Sequence, residues 1–371
     1  MSRLEQPTAR SPWRTSSSRV SPWLLGLGLV GCSSADEGVP APSALSDGGA
    51  DNSSNGDPWG DSAADDGNDG SADGDGADDA GQILDVGGAP PPPTGEGEFS
   101  GCPQPLPPGW VLCEDFETIR DPAEVSLDYQ EVDGAFVMVD GVGASGTRAM
   151  EVTYREGEQS AGWMVLSFGT SPLEHGDRPT HAPQTSFSDV YWRLRVMTEP
   201  GWPDVGPGQL TRTVSFAADD WTEAVVAHLR SSGEGVNLEA APVTCVSGSE
   251  IACVGYDDQS SLEPLGPLPG EAPVYSESMS GQWVCVEGHM RLNTPGLADG
   301  VLEFWVDEER QAGRDDLDLR GSWTEYGINA LVIENRWPGG APESLRRWID
   351  DVVISTEPIG CTDVLDDAAP G

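Results

Sequence analysis

Lysine does not occur in this chain. All 19 basic residues among its 371 are arginine, set against 63 Asp and Glu, which gives a formal net charge of -44. The absence excludes Schiff-base and phosphate-loop lysine chemistry. The acidic balance would repel a phosphate backbone at long range, so nucleic acid is not an expected partner. Histidine is also scarce, with four, and no His or Cys pair stands at zinc-like spacing in a plausible site. The apolar run Trp23 to Val30 is too short to span a bilayer. Beyond Cys102 no long stretch repeats its apolar residues with a period of 3.6, which excludes a helical domain.

What is present is unevenly spread. Ten of the 13 tryptophans lie beyond residue 100, whereas residues 33 to 99 are mostly Asp, Gly, Ala, Ser and Pro. From Asp36 to Glu98 there are 16 acidic residues and no basic one. Nothing in that stretch can bury a core, and self-repulsion together with the run Pro90 to Pro93 predicts a disordered, extended tether over 32–99. A calcium loop starting at Asp69, with Ser71 and Asp73 before Gly74, is rejected because its twelfth position is Ala80 instead of a bidentate Glu. One globular domain is expected over 100–362, followed by a disordered tail at 363–371.

At the start, Arg10, Arg14 and Arg19 precede the apolar run, which ends in Leu29-Val30-Gly31-Cys32. This order resembles a bacterial lipoprotein signal. The resemblance implies a signal peptide over 1–31, cleavage before Cys32 and lipid on that cysteine, so that the membrane is met through lipid alone. Ser33, where an Asp would signal retention, implies the outer membrane of the cell envelope.

The apolar pattern of the remainder has period two. It predicts strands at Trp110 to Phe116, Arg148 to Tyr154, Trp163 to Phe168, Val190 to Met197, Leu210 to Phe216, Glu223 to Leu229, Trp283 to Leu292, Val301 to Asp307, Ile328 to Glu334 and Arg347 to Ser355. About ten short strands punctuated by Gly, Pro, Asn and Asp suit an all-β, two-sheet sandwich. The segment Asn293 to Gly300 carries two turn signals and should close a hairpin.

Alternation divides each strand into two faces. Val284, Val286, Met290 and Leu292 oppose Cys285, Glu287, His289 and Arg291. Val225, Ala227 and Leu229 oppose His228 and Arg230. Leu194 and Val196 oppose Tyr191, Arg193 and Arg195, while Leu302, Phe304 and Val306 oppose Glu303, Trp305 and Asp307. If these strands are neighbours in one sheet, their polar faces merge into one surface of Arg, His, Glu, Tyr and Trp.

Four segments carry a family likeness: Cys113-Glu114-Asp115-Phe116-Glu117; Trp283-x-Cys285-x-Glu287 with Arg291-Leu292-Asn293-Thr294-Pro295-Gly296; Asp299 to Asp307; and Trp348-Ile349-Asp350-Asp351-Val352-Val353-Ile354-Ser355. Their order resembles bacterial concanavalin A-like jelly rolls, and among these the polysaccharide-lyase-like domains, over most of 101–361. The resemblance implies a jelly roll that engages a polysaccharide or cell-surface glycan. The matched motifs are chiefly structural and leave activity open between a lyase, a glycan-binding module and a structural envelope protein.

For β-elimination on a uronate, a base removes the proton beside the carboxylate, a cation stabilises the dianion, and an acid protonates the leaving oxygen. His228 or His289 is the candidate base, Arg193 or Arg195 the neutraliser and Tyr191 the acid. Arg230, Glu287, Arg291 and Trp305 are candidate substrate contacts. The competing reading makes all of them solvated outer-face residues of a half-exposed sheet. From residue 99 onward the chain holds 46 acids and 15 bases, a net of -31, which disfavours an anionic polymer at long range. No Glu-x-Asp-x-x-Glu strand of the kind a glucanase of this fold carries is present.

Resemblance to jelly-roll carbohydrate-binding modules, which pair an early Phe-Glu with a late Ile-Asp-Asp-Val, implies a structural calcium held by Glu117 and Asp350. Six cysteines besides Cys32 imply disulfides in an exported chain. Cys245 and Cys253 could staple a local loop, while Cys102, Cys113, Cys285 and Cys361 admit three pairings.

Overall fold

The computed structural model describes residues 101–361 except Glu234 and Asp257. The expected signal peptide, the lipidation site Cys32, the tether over 32–99 and the tail over 363–371 lie outside the described residues.

In chain order the strands are β1 (Trp110–Glu114), β2 (Asp128–Glu131), β3 (Phe136–Asp140), β4 (Arg148–Tyr154), β5 (Ser160–Ser167), β6 (Asp189–Thr198), β7 (Gln209–Phe216), β8 (Glu223–Ser231) and β9 (Leu238–Thr244). They continue as β10 (Val246–Ser247), β11 (Glu250–Ile251), β12 (Glu263–Pro264), β13 (Leu268–Pro269), β14 (Val284–Arg291), β15 (Gly300–Val306), β16 (Glu309–Leu317), β17 (Ala330–Arg336) and β18 (Leu345–Ser355). All ten predicted strands form. The Asn293 to Gly300 segment joins β14 to β15 as an antiparallel hairpin, pinned where the Thr294 amide donates to Asp299 Oδ1 at 2.6 Å.

Two antiparallel sheets result. The first runs β16-β15-β14-β6-β18-β4-β3, with β1 also on β18; the second runs β12-β9-β8-β7-β17-β5-β2, with β13 on β9. Their inner faces share one core, in which Trp192, Leu194, Val286, Met290, Leu302 and Phe304 of the first sheet meet Met164, Leu166, Leu210, Ala227, Leu229, Leu331 and Ile333 of the second. This is the two-sheet jelly-roll sandwich that the alternation predicts. Gly288 is required where β14 crosses Trp192: a Cβ built there would lie 2.3 Å from the indole, well inside van der Waals contact.

The disulfides are Cys102–Cys113, Cys245–Cys253 and Cys285–Cys361. The second is the local staple expected from sequence, and the hairpin of β10 and β11 lies within it. Three bridges mark a chain that matures in an oxidising compartment, extracellular or periplasmic. No described helix is long and apolar enough to cross a membrane.

Candidate active site

The outer face of the second sheet has an apolar half and a polar half. Val165, Val214, Phe216, Val226, Val243, Ala330 and Val332 form the apolar half, covered by Leu127 and Leu173 from neighbouring segments. On the polar half the register sets Arg212 of β7 directly opposite His228 of β8, and Arg230 opposite Glu239 of β9.

Arg212 organises this half. Its Nη1 donates to Glu223 Oε1 at 2.5 Å, its Nε lies 3.3 Å from Glu334 Oε1 and its Nη2 donates to Tyr256 Oη at 2.8 Å. The guanidinium also lies 5.1 Å from the centre of the Tyr256 ring. Burial pushes the Glu223 carboxyl up to about 7 against the opposing pull of Arg212. Burial likewise raises the Tyr256 phenol, so it stays protonated at neutral pH. Tyr256 stands just beyond the Cys245–Cys253 staple, and the Gly255 amide fixes its loop by donating to Thr222 Oγ1 at 2.7 Å.

His228 is set for one tautomer. Its Nδ1 lies 3.1 Å from Gln209 Oε1; an amide oxygen only accepts, so with that assignment of the Gln209 amide the proton sits on Nδ1. Nε2 takes no partner among the described residues and carries a free lone pair. Burial, then the charges of Arg212 and Arg230, push the imidazole down to about 3, so it is neutral at physiological pH. Arg230 is held by Glu239, with Nε and Nη2 both 2.8 Å from Oε1. One row out, Trp163 of β5 is half-buried, opposite Glu334 in register, and donates from Nε1 to Asp128 Oδ2 at 3.1 Å.

The other candidates lie on the outer face of the first sheet, where β6, β14 and β15 are neighbours as predicted: Glu287 faces Arg193 and Trp305, and His289 faces Tyr191 and Glu303. That face is crossed by residues 359–361. Arg193 Nη1 donates to Gly360 O at 3.0 Å and Arg195 Nη2 to Cys361 O at 2.8 Å. Glu287 accepts the amides of Ile359 at 2.9 Å and Gly360 at 2.8 Å. The Cys285–Cys361 bridge locks this strap, and Trp110 stacks 5.6 Å from Arg193. Arg195 also pairs with Asp351 at 3.1 Å.

His289 lies between two carboxylates, Asp189 Oδ1 at 2.7 Å from Nε2 and Glu303 Oε1 at 3.0 Å from Nδ1, and stacks on Tyr191 at 4.0 Å. Neither nitrogen is open as a base. Burial, followed by the nearby acids Asp189, Glu303 and Glu287, raises the Tyr191 phenol. Arg291 donates to the Asp299 carbonyl at 3.4 Å. The sequence pattern anticipated one merged polar surface; the sandwich forms two. His228 and Arg230 belong to the second sheet, whereas Tyr191, Arg193, Arg195, Glu287, His289, Arg291 and Trp305 belong to the first, so a constellation of His228 with Tyr191 and Arg193 or Arg195 does not assemble.

Glu117 and Asp350 both grip the loop between β3 and β4. Glu117 Oε1 accepts the amides of Thr147 at 2.6 Å and Arg148 at 2.7 Å. Asp350 Oδ2 accepts the Ala144 amide at 2.6 Å, and its Oδ1 accepts that of Asp351 at 2.8 Å. Burial, with Asp351 beside it, pushes Asp350 up to about 8. The carbonyls of Phe116 and Ile119, which a hard cation would seek, instead accept from Arg148 Nη1 at 3.2 and 2.6 Å. Among the described residues no group of three or more His, Cys, Asp or Glu is placed to hold a metal ion. In this arrangement the donor set does not fit calcium, because amides and a guanidinium already occupy the oxygens.

Gln209, Arg212, Glu223, Glu239, Tyr256 and Glu334 are members of the second-sheet cluster that the strand pattern did not single out. An arginine in mid-strand between Leu210 and Val214 was the available signal, since a charge there needs partners on adjacent strands.

These two sheets define the class: a jelly-roll β-sandwich whose first sheet carries a disulfide-locked strap. No family model matches the chain, and no curated protein matches it in sequence. Among solved structures it is similar to an endo-β-1,4-glucuronan lyase from the fungus Trichoderma reesei, with 12% identity, a TM-score of 0.44, and coverage of 67% of this chain and 96% of that one. It is also similar to a marine alginate lyase from Aplysia kurodai, with 13% identity, a TM-score of 0.46, and coverage of 67% and 99%. A third is the cellulose-induced protein Cip1, with 17% identity, a TM-score of 0.37, and coverage of 68% and 100%.

Proposed function

We propose that this protein engages a glycan on the outer face of the second sheet and cleaves uronate linkages there by β-elimination. The carrying observation is His228: a neutral imidazole with Nδ1 held by Gln209, Nε2 open, and two arginines alongside. In this reading Nε2 takes the proton from the carbon next to the uronate carboxylate. The electron pair left behind forms the carbon–carbon double bond as the glycosidic carbon–oxygen bond breaks. The Tyr256 phenol protonates the departing oxygen, and Arg212 and Arg230 lower the cost of charge on the carboxylate. Trp163 offers a flat surface for a neighbouring sugar.

A second reading, glycan binding without chemistry, is favoured by the charge balance of the same face. Arg212 is shared by Glu223 and Glu334, and Arg230 pairs with Glu239, so the cluster is close to electroneutral and better matched to a neutral sugar. One experiment separates the two. The purified protein with intact disulfides is incubated with alginate, glucuronan, pectate and glycosaminoglycans while ultraviolet absorbance of unsaturated ends is followed. A rise that His228→Asn lowers by about 10²-fold or more supports elimination; binding with no rise on any polymer supports the second reading. His289→Ala in the same assay should leave the rate unchanged.

We further propose, from the Leu29 to Cys32 signal, a lipid anchor on Cys32 and an outer-membrane location. Mass spectrometry of the N-terminal peptide from membranes, with Cys32→Ser as control, tests both; an unmodified Cys32 would refute them.

A further inference from the structure

Arg347 of β18 is fully buried between the sheets, and among the described residues no carboxylate pairs with it. Its Nη2 donates to Gln209 O at 3.0 Å, Glu334 O at 2.7 Å and Asn335 Oδ1 at 2.8 Å. Its Nη1 reaches Tyr275 Oη at 3.4 Å, and Tyr154 lies under the guanidinium at 5.5 Å. An isolated buried cation is costly to fold around, and a core needing only volume would be served by an apolar side chain.

The placement of the two carbonyls explains the residue. The ladder between β7 and β17 runs from Ala330↔Val214 to Ile333↔Thr211 and ends there, each strand carrying a register shift just beyond, at Gln209/Thr211 with β8 and at Glu334/Arg336 with β5. Where the ladder stops, the backbone oxygens of Gln209 and Glu334 need another donor, and Arg347 Nη2 supplies one to both. These are the two residues whose side chains, on the opposite face, orient the site: Gln209 holds His228 Nδ1 and Glu334 holds Arg212 Nε.

We propose that Arg347 is a positioning residue: from inside the sandwich it fixes the backbone of Gln209 and Glu334, and through their side chains it sets the tautomer of His228 and the aim of Arg212. The proposal rests on the reading that the second-sheet face is the functional site. Its test does not require activity. Long-range proton–nitrogen correlation spectra of the imidazoles at neutral pH are recorded for the wild-type protein and for Arg347→Met, with His228→Asn identifying the signal. Wild type should show the Nδ1-protonated form, and Arg347→Met a shift towards the other tautomer or a mixture. Where elimination is measurable, kcat should fall on the order of tenfold to a hundredfold with KM little changed.

A purely structural role would lower the urea midpoint and leave the His228 tautomer as in wild type, and that result overturns the proposal. Should Arg347→Met fail to fold, Arg347→Lys, which keeps the charge and loses the fork, is read in its place with the same two outcomes. If wild type eliminates no polymer at all, the functional reading fails while the tautomer still decides the positioning role.

Discussion

Removing the Cys285–Cys361 bridge should destabilise the protein more than removing either other disulfide, and should leave the second-sheet site intact. The bridge closes a loop of 76 residues, against 11 for Cys102–Cys113 and 8 for Cys245–Cys253. Loop-closure entropy then gives about 4.5, 2.8 and 2.5 kcal/mol respectively at 25 °C. The strap bonds from Arg193, Arg195 and Glu287 survive in a Cys285→Ala/Cys361→Ala variant, but they must now hold residues 359–361 without a covalent tie, so the loss should approach the full entropic value. Urea unfolding of the three paired alanine variants measures the order. Elimination or glycan binding, assayed well below the unfolding transition, should match wild type for the strap variant, because His228 and Arg212 lie on the other sheet. A smaller loss than that of the Cys245–Cys253 variant would refute the entropic argument. A gain or loss of activity on freeing the strap would return the first-sheet face to candidacy.

Gly288→Ala should cost about 1 to 3 kcal/mol by overpacking against Trp192, read as a lower urea midpoint at unchanged slope. Because the folded-state pKa of Asp350 is raised from 3.8 to about 8 and that of Glu223 from 4.5 to about 7, both contribute stability at low pH that is lost as pH rises through those ranges. His228, lowered from 6.5 to about 3, acts oppositely and weakens the fold as pH falls between those values. Melting curves should therefore lose their alkaline slope between pH 4 and 8 in Asp350→Asn and their acid slope between pH 6.5 and 3 in His228→Asn; unchanged slopes would refute the assignments. Added calcium should leave the melting temperature at pH 8 unchanged, and a rise would make Glu117 and Asp350 ligands after all. Finally, turnover of an anionic polymer should rise with salt as the long-range repulsion is screened, whereas binding of a neutral glycan should not respond.

Period-two alternation was enough to place ten of the strands, since burial is what the alternation encodes, but it missed the short β3, whose Phe136 is buried in the core with Met138 packed beside it. β16, with Glu309, Arg310, Arg314, Asp315 and Asp316 along nine residues, escaped because it is an edge strand whose charges guard an open ladder instead of marking a core face. β9 escaped for the opposite reason: buried on both faces, Leu238 to Thr244 shows no polar alternation, and Pro242 argues against a strand. The disulfide pairing of the four remaining cysteines was not legible because it depends on where the chain end returns, and Ile359 to Cys361 returns across β14 by contacts 72 and 73 residues apart.

The site was half legible for a related physical reason. Alternation tells which side chains of one strand share a face; it does not tell which of two sheets the strand joins. His228 and His289 have the same local signature, an imidazole opposite apolar neighbours, yet β8 pairs with β7 and β9 while β14 pairs with β6 and β15. Their surroundings then diverge. On the first sheet two carboxylates and a tyrosine close around His289 and a disulfide-locked strap occupies the adjoining arginines, so access is lost. On the second, the one hydrogen bond to the His228 ring among the described residues fixes one nitrogen and leaves the other open, while burial, then the arginines on both sides, keep it uncharged. A neutral imidazole with one open nitrogen has the protonation state a base requires, whereas both nitrogens of His289 are already taken by carboxylates. The difference in tertiary partners, with the residue type held constant, is what separates the two histidines and is the ground on which proton transfer is proposed for His228 and not for His289.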